Sequence, residues 1–397
     1  MKKHSYAGVA TSVYLDYAIV GIATIFLSQY STFFQKAWNT NVKGVSLVLS
    51  VVGLGRILTI LFAGVISDKI GRKKTLLISI VADIIFLLGA AYSHNVIVAG
   101  IAALFFGVTN SFGDTAAYPA LGDAFPNRAA TMNSLIKAAM SVAQFLFPFW
   151  VSAIHDARVT AIVLAIVLLV DIVITCMSAF APQSGTKKAS QENTDTSEDT
   201  DSGTGNKPKM AIDGVLIIIL SFTTAFTFYV FSQYAPNFGI NVLGASAAAG
   251  KTLVSWYSMA SLISVFVTAA LVTKVKPLTL ILIYTTVSAL GLLLMLLAPS
   301  ITTARIGALI IGFFAAGGIW QVGLAVLTDY FPKNHGKLTS YYSFMAAVVY
   351  FVGPLLASFV ISDTAASVIS IFWIMTIDTI ISIVITAVLL KRSHNFD

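Results

Sequence analysis

Twelve times along this 397-residue chain an apolar run of about twenty residues recurs, the length at which an α-helix crosses the hydrocarbon core of a bilayer. That repetition constrains the fold more than any motif does. A backbone exposed to lipid must satisfy its own N–H and C=O groups, which only helices and closed barrels manage. The expected spans are 9–32, 46–67, 75–93, 97–120, 131–154 and 159–181, then 211–235, 248–272, 278–298, 303–327, 338–361 and 366–390. Composition agrees, with 57% hydrophobic and 10% charged residues against roughly 25% charged in a soluble domain. An all-α membrane protein with 12 transmembrane helices is expected.

Orientation follows from the loops. The termini and the connections on their side carry Lys and Arg far more often than the opposite loops, which hold Lys36, Lys43, Arg158, Lys251 and Arg305. Cytoplasmic loops carry the excess of Lys and Arg, so both termini are expected in the cytoplasm. The first run contains Asp16 and precedes no small-residue cleavage pattern, so it reads as a span and not as a removable signal peptide. The formal charge of +7 is dispersed among short loops, a distribution that does not make a nucleic-acid surface. Cys176 is the single cysteine, which excludes an internal disulfide. None of the five histidines pairs at metal-ligand spacing, and no metal or cofactor is expected.

The chain divides into residues 1–181, a polar stretch 182–210 and residues 211–397. The middle stretch is rich in Ser, Thr, Gly, Asp and Lys and holds both glutamates, Glu192 and Glu198, the composition of a flexible solvated linker. The flanking parts repeat one another. Leu121, Asp123, Phe125, Pro126, Ser134, Val142, Pro148 and Ser152 match Leu327, Asp329, Phe331, Pro332, Ser340, Val348, Pro354 and Ser358 without a gap. Likewise Ser28-Gln29-Tyr30 answers Ser232-Gln233-Tyr234. Two six-helix halves made by duplication are expected, an arrangement in which transporters place the solute at the interface of the repeats.

Between the second and third runs lies Gly64-Val-Ile-Ser-Asp68-Lys-Ile-Gly71-Arg72-Lys73-Lys74. Gly64, Asp68, Gly71, Arg72, Lys73 and Lys74 fill every position of the pattern Gly-x-x-x-Asp-x-x-Gly-Arg-(Arg/Lys)-(Arg/Lys), and with the twelve runs and the central linker the chain resembles the major facilitator superfamily over nearly its whole length. The resemblance implies that this loop is a conformational gate. Asp68 would cap a helix of the other half in the outward-facing state, as a carboxylate at a helix N-terminus can, with Arg72 its local partner. The matching loop of the second half has Lys274 and Pro277 where the pattern needs Asp and Gly, so any second latch is degenerate. The fifth run offers Gln144-Phe-Leu-Phe-Pro148 and lacks the Gly-Pro-rich signature of the family's drug–proton antiporters.

Ionisable residues inside spans are expensive and are functional candidates by default. Here they are Asp16, Arg56, Asp83, Asp114, Lys137, Asp171 and Asp378. The resemblance implies that spans 1, 2, 4 and 5 line the cavity on one side, which gathers Asp16, Arg56, Asp114 and Lys137 into one inward set and leaves Asp83, Asp171 and Asp378 in outer spans. Helical spacing puts Gly107, Asn110, Asp114 and Tyr118 on one face, Lys137, Ser141, Gln144 and Pro148 on another, and Asp16 with Tyr30 on a third. Asp16 and Asp114 are the proton-coupling candidates. The alternative is a static ion pair such as Arg56 with Asp114, which would only fix helix packing. The substrate-binding candidates are Arg56, Lys137, Tyr30, Asn110, Gln144, Gln233, Tyr234, Trp256, Trp320, Gln321 and Tyr350, the last four because the resemblance places spans 7, 8, 10 and 11 around the cavity.

Function is therefore expected to be secondary active transport of a small organic solute by alternating access, with a proton-coupled symporter of an organic or aromatic acid preferred. Proton-driven efflux of drugs or metabolites is the alternative, and a membrane receptor or a channel stands behind both. No phosphate-binding loop, nucleophile motif or metal cluster suggests an enzyme. The expected partners are the solute, protons and the lipid bilayer, with a monomer in a prokaryotic cytoplasmic membrane.

Overall fold

The computed structural model describes residues 6–182, 208–332 and 335–393. The expected linker lies largely outside the described residues. The described residues are helical, and twelve helices are long and apolar enough to cross a membrane. They are α1 (Ala7–Gln29), α2 (Val42–Ile70), α3 (Arg72–Tyr92), α4 (Val96–Ala124), α5 (Thr131–Ala153) and α6 (Ala157–Met177). After the linker come α7 (Met210–Val242), α8 (Ala247–Leu271), α9 (Pro277–Leu297), α10 (Ile301–Tyr330), α11 (Lys337–Val360) and α12 (Ala365–Ser393).

Chain punctuation sets the ends. Asn41, Asn95 and Asp156 accept backbone N–H groups at the starts of α2, α4 and α6, each supplying an acceptor to donors that a helix start leaves unpaired. Gly71 takes φ 92° between α2 and α3, a value that glycine adopts without a Cβ penalty. The loop between the first two spans, 33–45, begins inside a short helix, Ser31–Ala37. That helix is followed by a buried Trp38 whose Nε1 donates to the Ala90 carbonyl at 3.2 Å.

Two spans depart from the continuous helices expected. α7 runs well past residue 235, because a wider turn over Phe238–Val242 continues it beyond Pro236. α10 is broken into Ile301–Phe314 and Ile319–Tyr330, with Gly318 at φ 103°. Inside a membrane the freed carbonyls need other donors, and α8 supplies them. Ser264 donates to the Phe313 carbonyl at 2.5 Å, and Thr268 donates to the Gly317 carbonyl at 2.7 Å. A Cβ on Gly317 would collide with Ser264, so the pair Gly317-Gly318 is what lets α8 come close enough to repair the break.

Within the first six helices α2 packs along α4, α3 along α4 and α6, and α1 along α5 and α6. Within the last six, α8 packs on α10, α9 on α12, and α7 on α11 and α12. The two sets meet along α2 with α11 and α5 with α8. The start of α1 lies against the end of α6 at Ser178. The start of α7 is tied to the end of α12, where Arg392 Nε donates to Asp213 Oδ1 at 2.6 Å and its Nη2 to Oδ2 at 3.0 Å.

Candidate transport pathway between the halves

One end of the seam between the halves is sealed. Gln233 Nε2 on α7 donates to the Thr24 carbonyl on α1 at 3.0 Å, and Gln29 Nε2 on α1 donates to the Lys251 carbonyl on α8 at 3.4 Å. The duplicated glutamines thus reach reciprocally across the seam, both buried. Tyr234 donates to Ser46 Oγ at 3.0 Å and Ser255 to the Phe145 carbonyl at 2.8 Å. At Gly53 on α2 the approach is closest, since a Cβ there would run into the backbone of Tyr350 and Phe351 on α11. Replacing either glutamine by alanine removes one cross-seam hydrogen bond, worth about 1 kcal/mol. Faster thiol labelling of a cysteine placed at Ser46 is the expected result in each single variant, with a larger effect in the double one.

The other end is open. Asp68 is 59% exposed and, among the described residues, pairs within its own loop, accepting from Arg72 Nη1 at 2.9 Å. A Cβ added at Gly64 or Gly71 would meet nothing within 4 Å. The loop instead is fastened to its own half. Arg72 Nη1 donates to Ser67 Oγ at 2.7 Å and to the Thr115 carbonyl at 3.3 Å, and Lys73 Nζ donates to the carbonyls of Cys176 and Ser178 at 2.6 and 3.1 Å. In this conformation the expected latch residues Asp68, Arg72 and Lys73 are bonded to their own half.

Between seal and opening lie the charges. Arg56 Nη2 donates to Asp114 Oδ2 at 2.8 Å, and Tyr17 donates to the other oxygen of Asp114, also at 2.8 Å. The guanidinium stands 4.9 Å from the centre of the Tyr350 ring, which in turn packs against Tyr229 at 4.1 Å. Lys137 Nζ lies 5.8 Å from the centre of the Phe228 ring on α7, within electrostatic reach of Asp114 and Arg56. The expected pairing of Arg56 with Asp114 is present, and both cations touch aromatic faces of the opposite half.

Asp16 does not join them. It is fully buried on the other side of α1, within electrostatic reach of Asp83 on α3 and Asp171 on α6. Its two oxygens and those of Asp83 find no hydrogen-bond partner among the described residues. The inward set of four expected from the sequence is thus a set of three, because adjacent helical positions point about 100° apart and Tyr17, not Asp16, faces the seam. The face shared by Asp16 and Tyr30 exists, but Asp16 looks into the first half, while the Tyr30 ring has Lys251 Nζ of α8 5.9 Å from its centre. Tyr30 donates to the Ile154 carbonyl at 2.7 Å and packs on Phe26 and Phe147.

The remaining candidates scatter. Asn110 turns back to the Phe106 carbonyl of its own helix at 2.7 Å, and Gln144 ties α5 to the Gly21 carbonyl of α1 at 3.2 Å. Gln233 and Tyr234 belong to the sealed end. Trp256 is partly buried against the core. Trp320 donates to Ser221 inside the second half at 2.9 Å, and Gln321 is exposed. Tyr350 alone of the aromatic candidates of the second half touches the charged group. Tyr17 and Phe228 carry no charge that would mark them in the sequence, although Tyr17 sits one position from Asp16. No group of three metal-ligating side chains gathers among the described residues.

A family model described as Major Facilitator Superfamily matches residues 7–316 and 240–395. The chain is 31% identical over 379 residues to the inner membrane transport protein YdiM of Escherichia coli K12, covering 94% of this chain and 91% of that protein. It is also 31% identical over 335 residues to an uncharacterized MFS-type transporter, YfkL, of Bacillus subtilis 168, covering 83% of each. Among solved structures the nucleoside transporter NupG superposes with a TM-score of 0.78 at 11% identity, covering 98% of this chain and 99% of that one. A D-xylose–proton symporter superposes with a TM-score of 0.77 at 16% identity, covering 98% of both.

Proposed function

We propose, from the premise that this chain belongs to the Major Facilitator Superfamily, that it is a proton-coupled symporter of a small organic solute working by alternating access. That it is a multi-pass membrane transporter follows from the family; the solute and the coupling are the proposal. The observation that carries it is the asymmetry of the seam, sealed by Gln29, Gln233, Tyr234 and Ser255 at one end and open at the Gly64–Lys74 end, around an ion pair that both halves touch. With the excess of Lys and Arg assigning the loop end to the cytoplasm, this conformation faces inward.

Asp114 is the coupling group in this reading. It is 38% exposed and is held by Arg56 and Tyr17, so a proton that reaches it weakens the pair and frees the guanidinium. Asp16, shielded behind Tyr17, serves as a second acid. Purified protein in proteoliposomes is expected to accumulate its solute when a proton gradient is imposed and to saturate with concentration. Flux that neither saturated nor answered the gradient would sink the coupled-carrier reading.

A further inference from the structure

Resting on that reading of the site, we propose that the transported solute is an organic monoanion with a flat apolar body, and that Lys137 is its anchor. The balance of charge around the ion pair differs from the one the sequence alone suggests. With Asp16 turned away into the first half, the ionisable groups gathered around the ion pair at the middle of the seam are Arg56, Lys137 and Asp114. Two basic side chains stand against one acid, so with both protonated this group carries one positive charge more than its own carboxylate answers, a costly situation inside a membrane.

Geometry says which cation is free. Arg56 spends its Nη2 on Asp114 and lays its face on Tyr350, leaving its buried Nε without a partner. Lys137 makes no ion pair among the described residues and only lies over the Phe228 ring. Its ammonium is a compact, strongly hydrated point charge with three donors, and the like charge of Arg56 is within its reach. A single carboxylate between Lys137 and the free Nε of Arg56 relieves that repulsion and supplies the missing acceptor. Because α5 carries Lys137 and α7 carries Phe228, such an anion would sit between the halves, where it can bias their rocking.

The walls specify the rest of the molecule. Phe228, Tyr229 and Tyr350 on the second half and Tyr17 with Tyr118 on the first present ring faces and edges around the charged group. A planar apolar body suits rings of this kind. A dianion or a cation does not suit the charge count.

The test is binding, kept separate from flux. Purified full-length protein is titrated with benzoate, phenylacetate and cinnamate, each against its own primary amide, following the midpoint of thermal unfolding. At least one acid is expected to raise the midpoint where its amide does not. In Lys137→Gln the apparent affinity for that acid is expected to fall about tenfold to a hundredfold, the range of a lost charged hydrogen bond, while Lys137→Arg keeps most of it. Acids and amides acting alike, no acid acting at all, or an unchanged affinity in Lys137→Gln would each overturn the proposal. The acid–amide comparison needs no variant, so a Lys137→Gln protein that failed to fold would leave it decisive. Saturable flux of a bound acid that ignores the proton gradient would sink the symport reading and leave the anion proposal standing; saturable, gradient-driven flux of neutral solutes only would do the reverse.

Discussion

Gly53→Val is expected to abolish transport in a protein that still folds and inserts. The hydrogen at Gly53 is what allows α2 to lie against the backbone of Tyr350 and Phe351 on α11, a close approach of the kind that small residues permit between membrane helices. Any side chain there meets backbone, which cannot swing aside as a side-chain tip can. Overpacking of this kind costs about 1–3 kcal/mol or more, and the cost falls only on the state in which the seam is sealed. Since 1.4 kcal/mol is a factor of ten in an equilibrium, the sealed state becomes rarer by a factor of roughly ten to a hundred or more. The variant is then held open at the end where Ser46 is buried. In a background lacking Cys176, a cysteine at Ser46 should label with a membrane-impermeant thiol reagent far faster in the Gly53→Val protein than in its parent. Unaltered labelling with intact transport would show that the contact between α2 and α11 takes no part in the cycle.

The second large effect is expected from splitting the central ion pair. In Asp114→Asn the guanidinium of Arg56, only 13% exposed, keeps its charge and loses its counter-charge. Removing one partner of a buried pair costs about 3–5 kcal/mol. Here about 2–3 kcal/mol is the better expectation, because Asp114 is 38% exposed and water screens part of the loss. Arg56→Met strands the carboxylate more mildly, since Tyr17 still donates to it. The double variant should regain most of the lost stability, as replacing both partners avoids the stranded charge, yet it should not regain transport. Thermal unfolding of the four proteins gives the coupling directly; strictly additive losses would mean that the pair contributes nothing of its own.

How far the sequence could carry these conclusions depends on what kind of pattern each residue leaves. The spans were legible because length and hydropathy are set by the bilayer and not by neighbouring helices. The partnership of Arg56 and Asp114 was legible because a membrane leaves an ionised residue few other options. Asp16 was misplaced for a physical reason. α1 is buried on most sides by its own half and by the second, so its sequence has no polar face to contrast with an apolar one, and periodicity gives a face without saying where it looks. The break in α10 was written in Ala315-Ala-Gly-Gly318, but a hydropathy window averages over four residues. The repeated Ser-Gln-Tyr was visible as a repeat. That its two glutamines reach across the seam depends on how the halves face one another, which no local pattern encodes.

The fastening of the Gly64–Lys74 loop bears on the speed of the cycle. Ordering a free loop costs about 1–2 kcal/mol for each backbone residue fixed, and a latch that had to fold on every turnover would meet that cost each time. Here Arg72 and Lys73 already tie the loop to α4 and to the end of α6. A latch built on Asp68, as the resemblance implies, would arrive on a preformed tooth, and the entropy lost at contact would be little more than that of a few side chains.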